Sequence, residues 1–473
     1  MKPLSILDVR NAVAGKAVTV IPQDFPPIVE ICTDTRKMAK SSLFVALKGE
    51  KYDGAQFLAQ ALAGGAIAAV VQDVPAELPK GLQVIQVKDT RVALGKLATV
   101  VRKQLQGKVI AVAGSNGKTS TKHLIAAALS GKLKGSHSPK SFNNEIGVPL
   151  TIFPADARQD FLVLEMGTNH TGEIRVLARM ALPDIAVITN CTAEHLAGLG
   201  DLIGVKHENA SIVEGLDEQK GLLIVNGDDP ELLKVLEHWK GRKLTIGFGK
   251  QNNLFATDIE TDATGCRFTV NGNPKQRFFV PMLGRHTASN ALAAIAVARR
   301  LGLSEEEIAA GLANAQGPDM RLQLQKSGDV TVLNDAYNAN PASMKAALET
   351  AGNLPVGSGG RRFAIIGDML ELGNASERFH REVGEFAAKQ HFDALICVGP
   401  QAKWIKEAAL AAGMDPKRVA YFEDSTAATV KVPGWLKAGD LVLLKGSRGM
   451  RLEKIAGAIG GGGGGGGVTL KSA

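Results

Sequence analysis

The segment from Val109 to Thr121, VIAVAGSNGKTST, constrains this chain more than any other. An apolar run of strand type feeds a tight turn at Gly114, Ser115, Asn116 and Gly117, and the pattern from Lys122 to Leu129 is helical. Glycines let the backbone curl until several N–H groups point at one spot, and the start of a helix adds partial positive charge there. A strand–turn–helix of this kind is a nucleotide phosphate site built into an α/β sheet. Lys118 can reach the β- and γ-phosphates, and a following hydroxyl, Thr119 or Ser120, can ligate Mg²⁺. The turn is shorter than the usual phosphate loop, which would place a glycine at Val112. Read alone, the loop is a nucleotide phosphate site, against a glycine-rich turn that holds nothing, and the reaction must be read from other residues.

The remaining pattern divides the chain into three units and a tail. Residues 1–105 hold short strands at Ser42 to Leu47, Ala66 to Val71 and Leu82 to Val87, with helices from Ala55 to Leu62 and from Thr90 to Leu105. Residues 106–315 carry strands at 108–113, 161–166, 185–190, 222–226 and 243–248. The wholly apolar runs from Phe161 to Leu164 and from Ile185 to Ile188 predict a parallel sheet covered on both faces. Segment 254–280 alternates as antiparallel strands do, and Ala288 to Leu301 reads as a helix. After a turn-rich joint at Gln316 to Arg321, residues 316–458 repeat the α/β pattern with strands at 329–334, 362–367, 393–398 and 440–445. Residues 459–473, with glycine throughout Gly460 to Gly467, read as a flexible tail.

Charge and cysteine usage narrow the class. The net charge of +8 comes from basic residues scattered along the chain, with no basic run and no aromatic interleaving, which argues against nucleic acid and suits an anionic small substrate. Four cysteines lie far apart without CxxC spacing, as in a reducing cytosol. The N-terminus lacks the apolar core of a signal peptide and no apolar run reaches 18 residues, so the expectation is a cytoplasmic protein with no membrane insertion.

Polar residues then recur just beyond strand ends, where open α/β sheets place ligands. Glu165 ends the strand 161–166, across from the phosphate turn, where Mg²⁺ needs a carboxylate; by position alone it is equally a surface salt bridge. His195 follows the next strand, either as a second ligand or as a structural hydrogen-bonding residue. Asn143 and Asn144 suit sugar hydroxyls and amides, and they suit a plain turn. Asp335, Tyr337, Asn338 and Asn340 lie between a strand and a helix; Asp335 can accept from ribose hydroxyls, while the whole stretch also fits a helix-start turn. Gly367 to Gly373 and Lys445 to Met450 sit at further strand ends. Three such segments aligned at one edge suggest a binding cleft.

In this order the motifs resemble the Mur ligase family of peptidoglycan synthesis, over nearly the whole chain to about residue 455. The short loop Gly114 to Ser120, Asn144 to Pro149, Glu165-Met-Gly and Glu194-His195 carry the resemblance for the wider superfamily, which includes folylpolyglutamate synthases. Asp335 to Pro341 with Ser343 and Met344, and then Gly367 to Gly373, are similar to the dipeptide-adding branch. Thr33, Asp34, Thr35 and Arg36, with Leu43 to Gly49, resemble its UDP-binding domain.

The resemblance implies a three-domain ATP-dependent amide ligase: an N-terminal UDP-substrate domain, a central P-loop domain for ATP and Mg²⁺, and a C-terminal Rossmann-like domain for a dipeptide. The substrates implied are UDP-N-acetylmuramoyl-tripeptide and D-alanyl-D-alanine, acting on a monomer. By motif match Lys118, Glu165 and His195 carry catalysis, with Thr119, Glu165 and His195 on the metal. Asn290 faces adenine, Arg321 phosphate and Asp335 ribose. Thr33, Asp34, Thr35, Arg36, Lys48, Gly49, Asn143, Asn144, Tyr337, Asn338, Asn340 and Arg448 contact substrate. No residue is marked as the base for the attacking amine. The chain departs from the family at Ala55 and Met320, and at Asn209, where an ungapped count places the carbamylated lysine of many members. Lys206, His207 and Glu208 are the neighbours available to substitute, and the expectation is an enzyme that does not depend on lysine carbamylation.

Overall fold

A computed structural model describes residues 1–49 and 52–461. Its strands form three separate sheets of five, nine and six strands, in chain order. The first runs Lys16–Ala17, Gln83–Gln86, Ala66–Val71, Ser42–Val45, Glu30–Cys32 across the sheet, parallel except at the Lys16–Ala17 edge. Helix Ile6–Val13 precedes it, started by a capping box in which Ser5 and Asp8 satisfy each other's backbone amides. The apolar periodicity of so short a helix is weak, and the sequence pattern did not single it out.

The phosphate-loop strand Lys108–Ala113 lies inside the nine-stranded sheet, between Phe161–Glu165 and Ile185–Ile188, with parallel pairing on both sides. Every residue of those two neighbours is buried, as their unbroken apolar runs predict. Leu254–Asp262 adds to the sheet by parallel pairing with Arg242–Gly247, and Gly265–Val270 and Asn273–Val280 follow as antiparallel strands. Helix Thr90–Arg102 joins the first two sheets. Leu94, Leu97 and Val101 belong to one buried cluster that runs from Val70 and Ile85 on one side to Val109, Leu164 and Leu177 on the other. Gly95 lets the helix approach closely, since a Cβ there would stand 2.7 Å from the Met180 methyl.

The third sheet runs Gln323–Ser327, Val330–Asp335, Leu441–Lys445, Arg362–Gly367, Ala394–Val398, Val419–Phe422. Only the first pair is antiparallel. Two of its strands escape the sequence reading. Gln323–Ser327 is polar and mostly exposed, and Val419–Phe422 is a four-residue edge. The assigned tail is corrected at its start: helix Glu453–Gly461 takes in residues 459–461, anchored by Ile455 and Ile459 in the core. The rest of the glycine run lies outside the described residues.

Candidate functional site

The phosphate loop is held open by its own neighbours. Gly114 and Gly117 have φ of 128° and 83°, the left-handed side of backbone space that other residues avoid. A Cβ on Gly117 would stand 2.5 Å from the Asn290 side-chain oxygen, so the helix Lys118–Ser130 starts hard against Asn290. Asn190 receives the Asn116 amide at 3.0 Å, and Thr189 donates to the Asn116 carbonyl at 2.7 Å. Ser115 donates to the Thr192 carbonyl at 3.0 Å. Lys118 curls back so that Nζ donates to the carbonyls of Gly114 at 2.5 Å and Ser115 at 2.9 Å, with Glu194 Oε1 at 3.8 Å.

Glu165 is only 1% exposed, which rules out the surface salt bridge. Its Oε1 accepts from Thr119 Oγ1 and from Asn143 Nδ2, both at 3.1 Å. Of the two hydroxyls left open by the sequence, Thr119 is the one that meets this carboxylate, while Ser120 lines the cleft. The amide of Glu165 donates to Ser138 Oγ at 3.0 Å, fixing the strand end. Glu165 Oε2 stands 3.1 Å from the ammonium of Lys122 without a well-aligned hydrogen bond, so its lone pairs remain uncommitted. Glu194 Oε1 is likewise buried without a hydrogen-bond partner. Oxygen donors of this kind, two of them unsatisfied, fit a hard divalent cation.

His195 lines the same cavity but turns toward a different carboxylate. Its Nδ1 meets the carboxylate of Glu371, 176 positions later in the chain, and Nε2 lies 3.9 Å from Glu194 Oε2. Both His195 (φ 49°) and Glu371 (φ 65°) hold left-handed backbone, an arrangement that costs energy and persists where the surroundings enforce it. Among the described residues no three His, Cys, Asp or Glu side chains converge into a metal cage. A cation here would lean on Thr119, Glu165, water and phosphate oxygens.

The opposite wall comes from the C-terminal sheet. Asp335 and Lys445 are paired in register on adjacent parallel strands, and Lys445 Nζ reaches Asp335 at 2.6 Å and the Asn338 carbonyl at 3.0 Å. Arg321 lies over the Tyr337 ring, 4.3 Å from its centre. Asn340 and Asn116 exchange amide hydrogen bonds of 2.8 and 3.3 Å, joining this wall to the phosphate loop. Between the walls is a cavity of about 1420 Å³, lined by Lys118, Glu165, Asn144, Asn290, Arg321 and Asp335 among others. Asn144 also caps helix Gly147–Ile152 through the Gly147 amide at 2.8 Å.

Other sequence candidates lie outside this cavity. Arg448 contacts Met320 Sδ at 3.4 Å and borders a smaller pocket with His195 and Glu371. Thr33, Asp34, Thr35, Arg36, Lys48 and Gly49 belong to the N-terminal unit. There Arg36 forks onto Asp34 at 2.8 Å, and that hydrogen bonding holds the Asp34 carboxyl down at about 2. Lys48 pairs with Asp73 at 2.5 Å. Sequence reasoning missed Lys122, Glu194 as a buried acceptor, and Glu371. The signal for Lys122 was present: it falls one helical turn after Lys118, on a face that is otherwise buried.

Comparison with known proteins decides the family. The Mur ligase family, catalytic domain, matches residues 27–102, the Mur ligase middle domain residues 112–298, and the Mur ligase, glutamate ligase domain, residues 320–448. The chain belongs to the Mur ligase family. This Mur ligase is 39% identical over 428 residues to the UDP-N-acetylmuramoyl-tripeptide–D-alanyl-D-alanine ligase of Bacillus subtilis (strain 168), covering 90% of this chain and 92% of that protein. It is 37% identical to the protein of the same name from Escherichia coli (strain K12), covering 91% and 93%. Among solved structures it is similar to MurF from Acinetobacter baumannii, with TM-score 0.87, 30% identity and coverage of 98% and 100%. It is also similar to the MurF ligase from Thermotoga maritima in complex with ADP, with TM-score 0.79, 26% identity and coverage of 91% and 97%.

Two of the neighbours of Asn209 in this Mur ligase, Lys206 and Glu208, are already committed, and His207 is exposed. Lys206 Nζ is held by Asp229 at 2.8 Å and Glu231 at 2.6 Å. Glu208 caps helix Glu173–Ala181 through the amides of Gly172 at 2.6 Å and Ile174 at 2.7 Å. Asn209 donates to the Val205 carbonyl at 2.9 Å, and its own oxygen is buried without a partner.

Proposed function

We propose that this Mur ligase joins D-alanyl-D-alanine to UDP-N-acetylmuramoyl-tripeptide at the expense of ATP, through an acyl-phosphate intermediate, to give the pentapeptide precursor of peptidoglycan. It is an ATP-dependent acid–D-amino-acid ligase. The observation that carries the residue assignment is the contact of Thr119 and Asn143 with a buried carboxylate, Glu165, directly beyond the phosphate loop.

A carboxylate resists an amine because its charge repels the lone pair and oxide is a poor leaving group. Attack of the tripeptide carboxylate on the γ-phosphorus forms an O–P bond and releases ADP. The amine of D-alanyl-D-alanine then forms the C–N bond, phosphate departs with the C–O electrons, and the amine proton is lost. Lys118 leaves its loop carbonyls to meet the phosphates, and the amides of Gly117 to Ser120 at the helix start hold their charge. Thr119 and Glu165 would hold Mg²⁺, which supplies charge neutralisation on the phosphate oxygens. Asn290, Arg321 and Asp335 place the nucleotide, and Asn143 with Asn144 the acceptor peptide. Tyr337, Asn338, Asn340 and Arg448 close over the dipeptide and exclude water from the intermediate. His195 and Glu371 together join the two walls. Thr33 to Arg36, Lys48 and Gly49 hold the UDP end.

The units 1–105, 106–315 and 316–458 divide this labour among UDP-substrate, ATP and dipeptide. One chain supplies both walls of the cavity, which fits a monomer. No helix among the described residues is long and apolar enough to cross a membrane, and dependence on ATP and a UDP-linked substrate fits the cytoplasm. The test is incubation with ATP, Mg²⁺, UDP-muramoyl-tripeptide and D-alanyl-D-alanine, with the pentapeptide weighed by mass spectrometry. Turnover that needs the UDP-sugar and ignores the dipeptide marks a sibling amide ligase. No phosphate release with both substrates present marks a nucleotide-binding scaffold.

A further inference from the structure

Lys122 is a lysine that no water touches. It is 0% exposed, inside helix Lys118–Ser130, and its ammonium meets Glu165 Oε2 at 3.1 Å and the main-chain carbonyl of Lys140. Long charged side chains are almost never buried so fully without a partner, because taking an ammonium out of water costs several kcal/mol that the fold must offset. Both partners belong to the cleft. Glu165 touches Thr119 and Asn143, and Lys140 begins the loop that carries Asn143 and Asn144 into the cavity. Lys140 itself has φ of 47°, a left-handed turn that aims its carbonyl back at the helix.

We propose that Lys122 is a positioning residue that fixes the Glu165 carboxylate for a divalent cation and, through the Lys140 carbonyl, fixes the Asn143–Asn144 loop against the same carboxylate. The helix that delivers Lys118 and Thr119 to phosphate thus also sets, one turn later, the carboxylate on the neighbouring strand. With the ammonium in place Oε1 stays turned to Thr119 and Asn143. Without it, a carboxylate 1% exposed has no counter-charge and turns away, and the loop loses its tether. Lys122 touches no reacting atom; it acts through Glu165. The inference rests on the assignment of Glu165 to the cation.

The test is titration calorimetry of ADP, with and without Mg²⁺, on the full-length protein, alongside thermal melting. Supporting groups around a metal ligand are worth roughly ten- to a hundredfold in metal affinity. Lys122→Met should therefore cut the Mg²⁺-dependent gain in ADP affinity at least tenfold and leave Mg²⁺-free ADP affinity within about threefold. Glu165→Gln should cut the same gain by a similar factor. Lys122→Met combined with Glu165→Gln should lose little more than either alone. Lys122→Gln, which keeps a donor for the Lys140 carbonyl, must show the same loss and serves where Lys122→Met does not fold. A full Mg²⁺ gain in Glu165→Gln removes the underlying assignment of Glu165. Loss of the gain in Glu165→Gln with full retention in the Lys122 variants, their melting point alone falling, makes Lys122 a structural strut and overturns this proposal only. Failure of both Lys122 variants to fold has the same consequence.

Discussion

Replacing Lys118 by alanine should damage this protein in two separable ways. The ammonium donates to the Gly114 and Ser115 carbonyls and stands 3.8 Å from Glu194, whose carboxylate is 5% exposed. Alanine removes two charge-assisted hydrogen bonds, each worth about 1–2 kcal/mol net beside a partly open cleft. It also strips the counter-charge from Glu194. A contact of 3.8 Å is too long for a hydrogen bond and Lys118 keeps 16% side-chain exposure, so that loss is set at about 1 kcal/mol, well below that of a close buried pair. The sum, about 3–5 kcal/mol, leaves a folded protein wherever the whole is stabilised by more than about 5 kcal/mol, as most of the usual range of about 5–15 kcal/mol is. Turnover loses a cation at the transferring phosphoryl group, roughly a hundred- to thousandfold.

Urea unfolding followed by fluorescence and a coupled phosphate-release assay read the two effects on one preparation. Lys118→Ala with Glu194→Gln should recover about 1 kcal/mol of the lost stability and none of the lost rate. Turnover of Lys118→Ala within tenfold of the parent would refute the phosphate contact. A double variant no more stable than Lys118→Ala would refute the pairing with Glu194.

Three further outcomes follow from the same geometry. Gly117→Ala must adopt φ of 83° and push against Asn290 at 2.5 Å, so it should lose about 1–3 kcal/mol of stability and bind ADP at least tenfold more weakly; parent-like ADP affinity would contradict the loop assignment. His380 is wholly buried, donates from Nδ1 to the Ser376 carbonyl and accepts the Met369 amide at Nε2, and burial holds it below the ordinary histidine value of 6.5. Its contribution is complete above about pH 6.5 and lost as the pH falls below it, because the unfolded chain then binds a proton that the fold refuses; urea midpoints from pH 8 to 5 should decline, and His380→Gln should flatten that decline. Asn209→Ala removes one hydrogen bond to the Val205 carbonyl and a buried orphan oxygen together, so stability should change by less than about 1 kcal/mol and ADP binding should be untouched; complete inactivity would show that the position is indispensable.

Strands such as Phe161–Glu165 and Ile185–Ile188 were legible because burial on both faces leaves an unbroken apolar run, and the phosphate loop because its glycines sit between that pattern and a helix. Gln323–Ser327 was not, since a polar edge strand has no burial to write into the sequence and takes its place by pairing with Val330–Asp335. The strand-end position of Glu165 was readable, and its enclosure by Lys122, Thr119 and Asn143 was not, because a charged residue in a sequence reads as solvated until its neighbours are known. The contact of His195 with Glu371 spans 176 positions and two sheets, a distance at which spacing carries no information. Glu371 was seen only as part of a motif, and Lys206 and Glu208 looked free until their partners Asp229, Glu231, Gly172 and Ile174 were in place.

The account turns on a carboxylate activated as an acyl phosphate in the cleft between the phosphate loop and the C-terminal sheet. The most direct measurement uses UDP-muramoyl-tripeptide whose acceptor carboxylate carries ¹⁸O, with ATP, Mg²⁺ and D-alanyl-D-alanine, and reads the released phosphate by mass. One ¹⁸O per phosphate, produced in step with pentapeptide and abolished in Lys118→Ala, is the result this mechanism requires. Unlabelled phosphate alongside labelled pentapeptide would mean that the oxygen never passed to phosphorus, and the mechanism would be wrong.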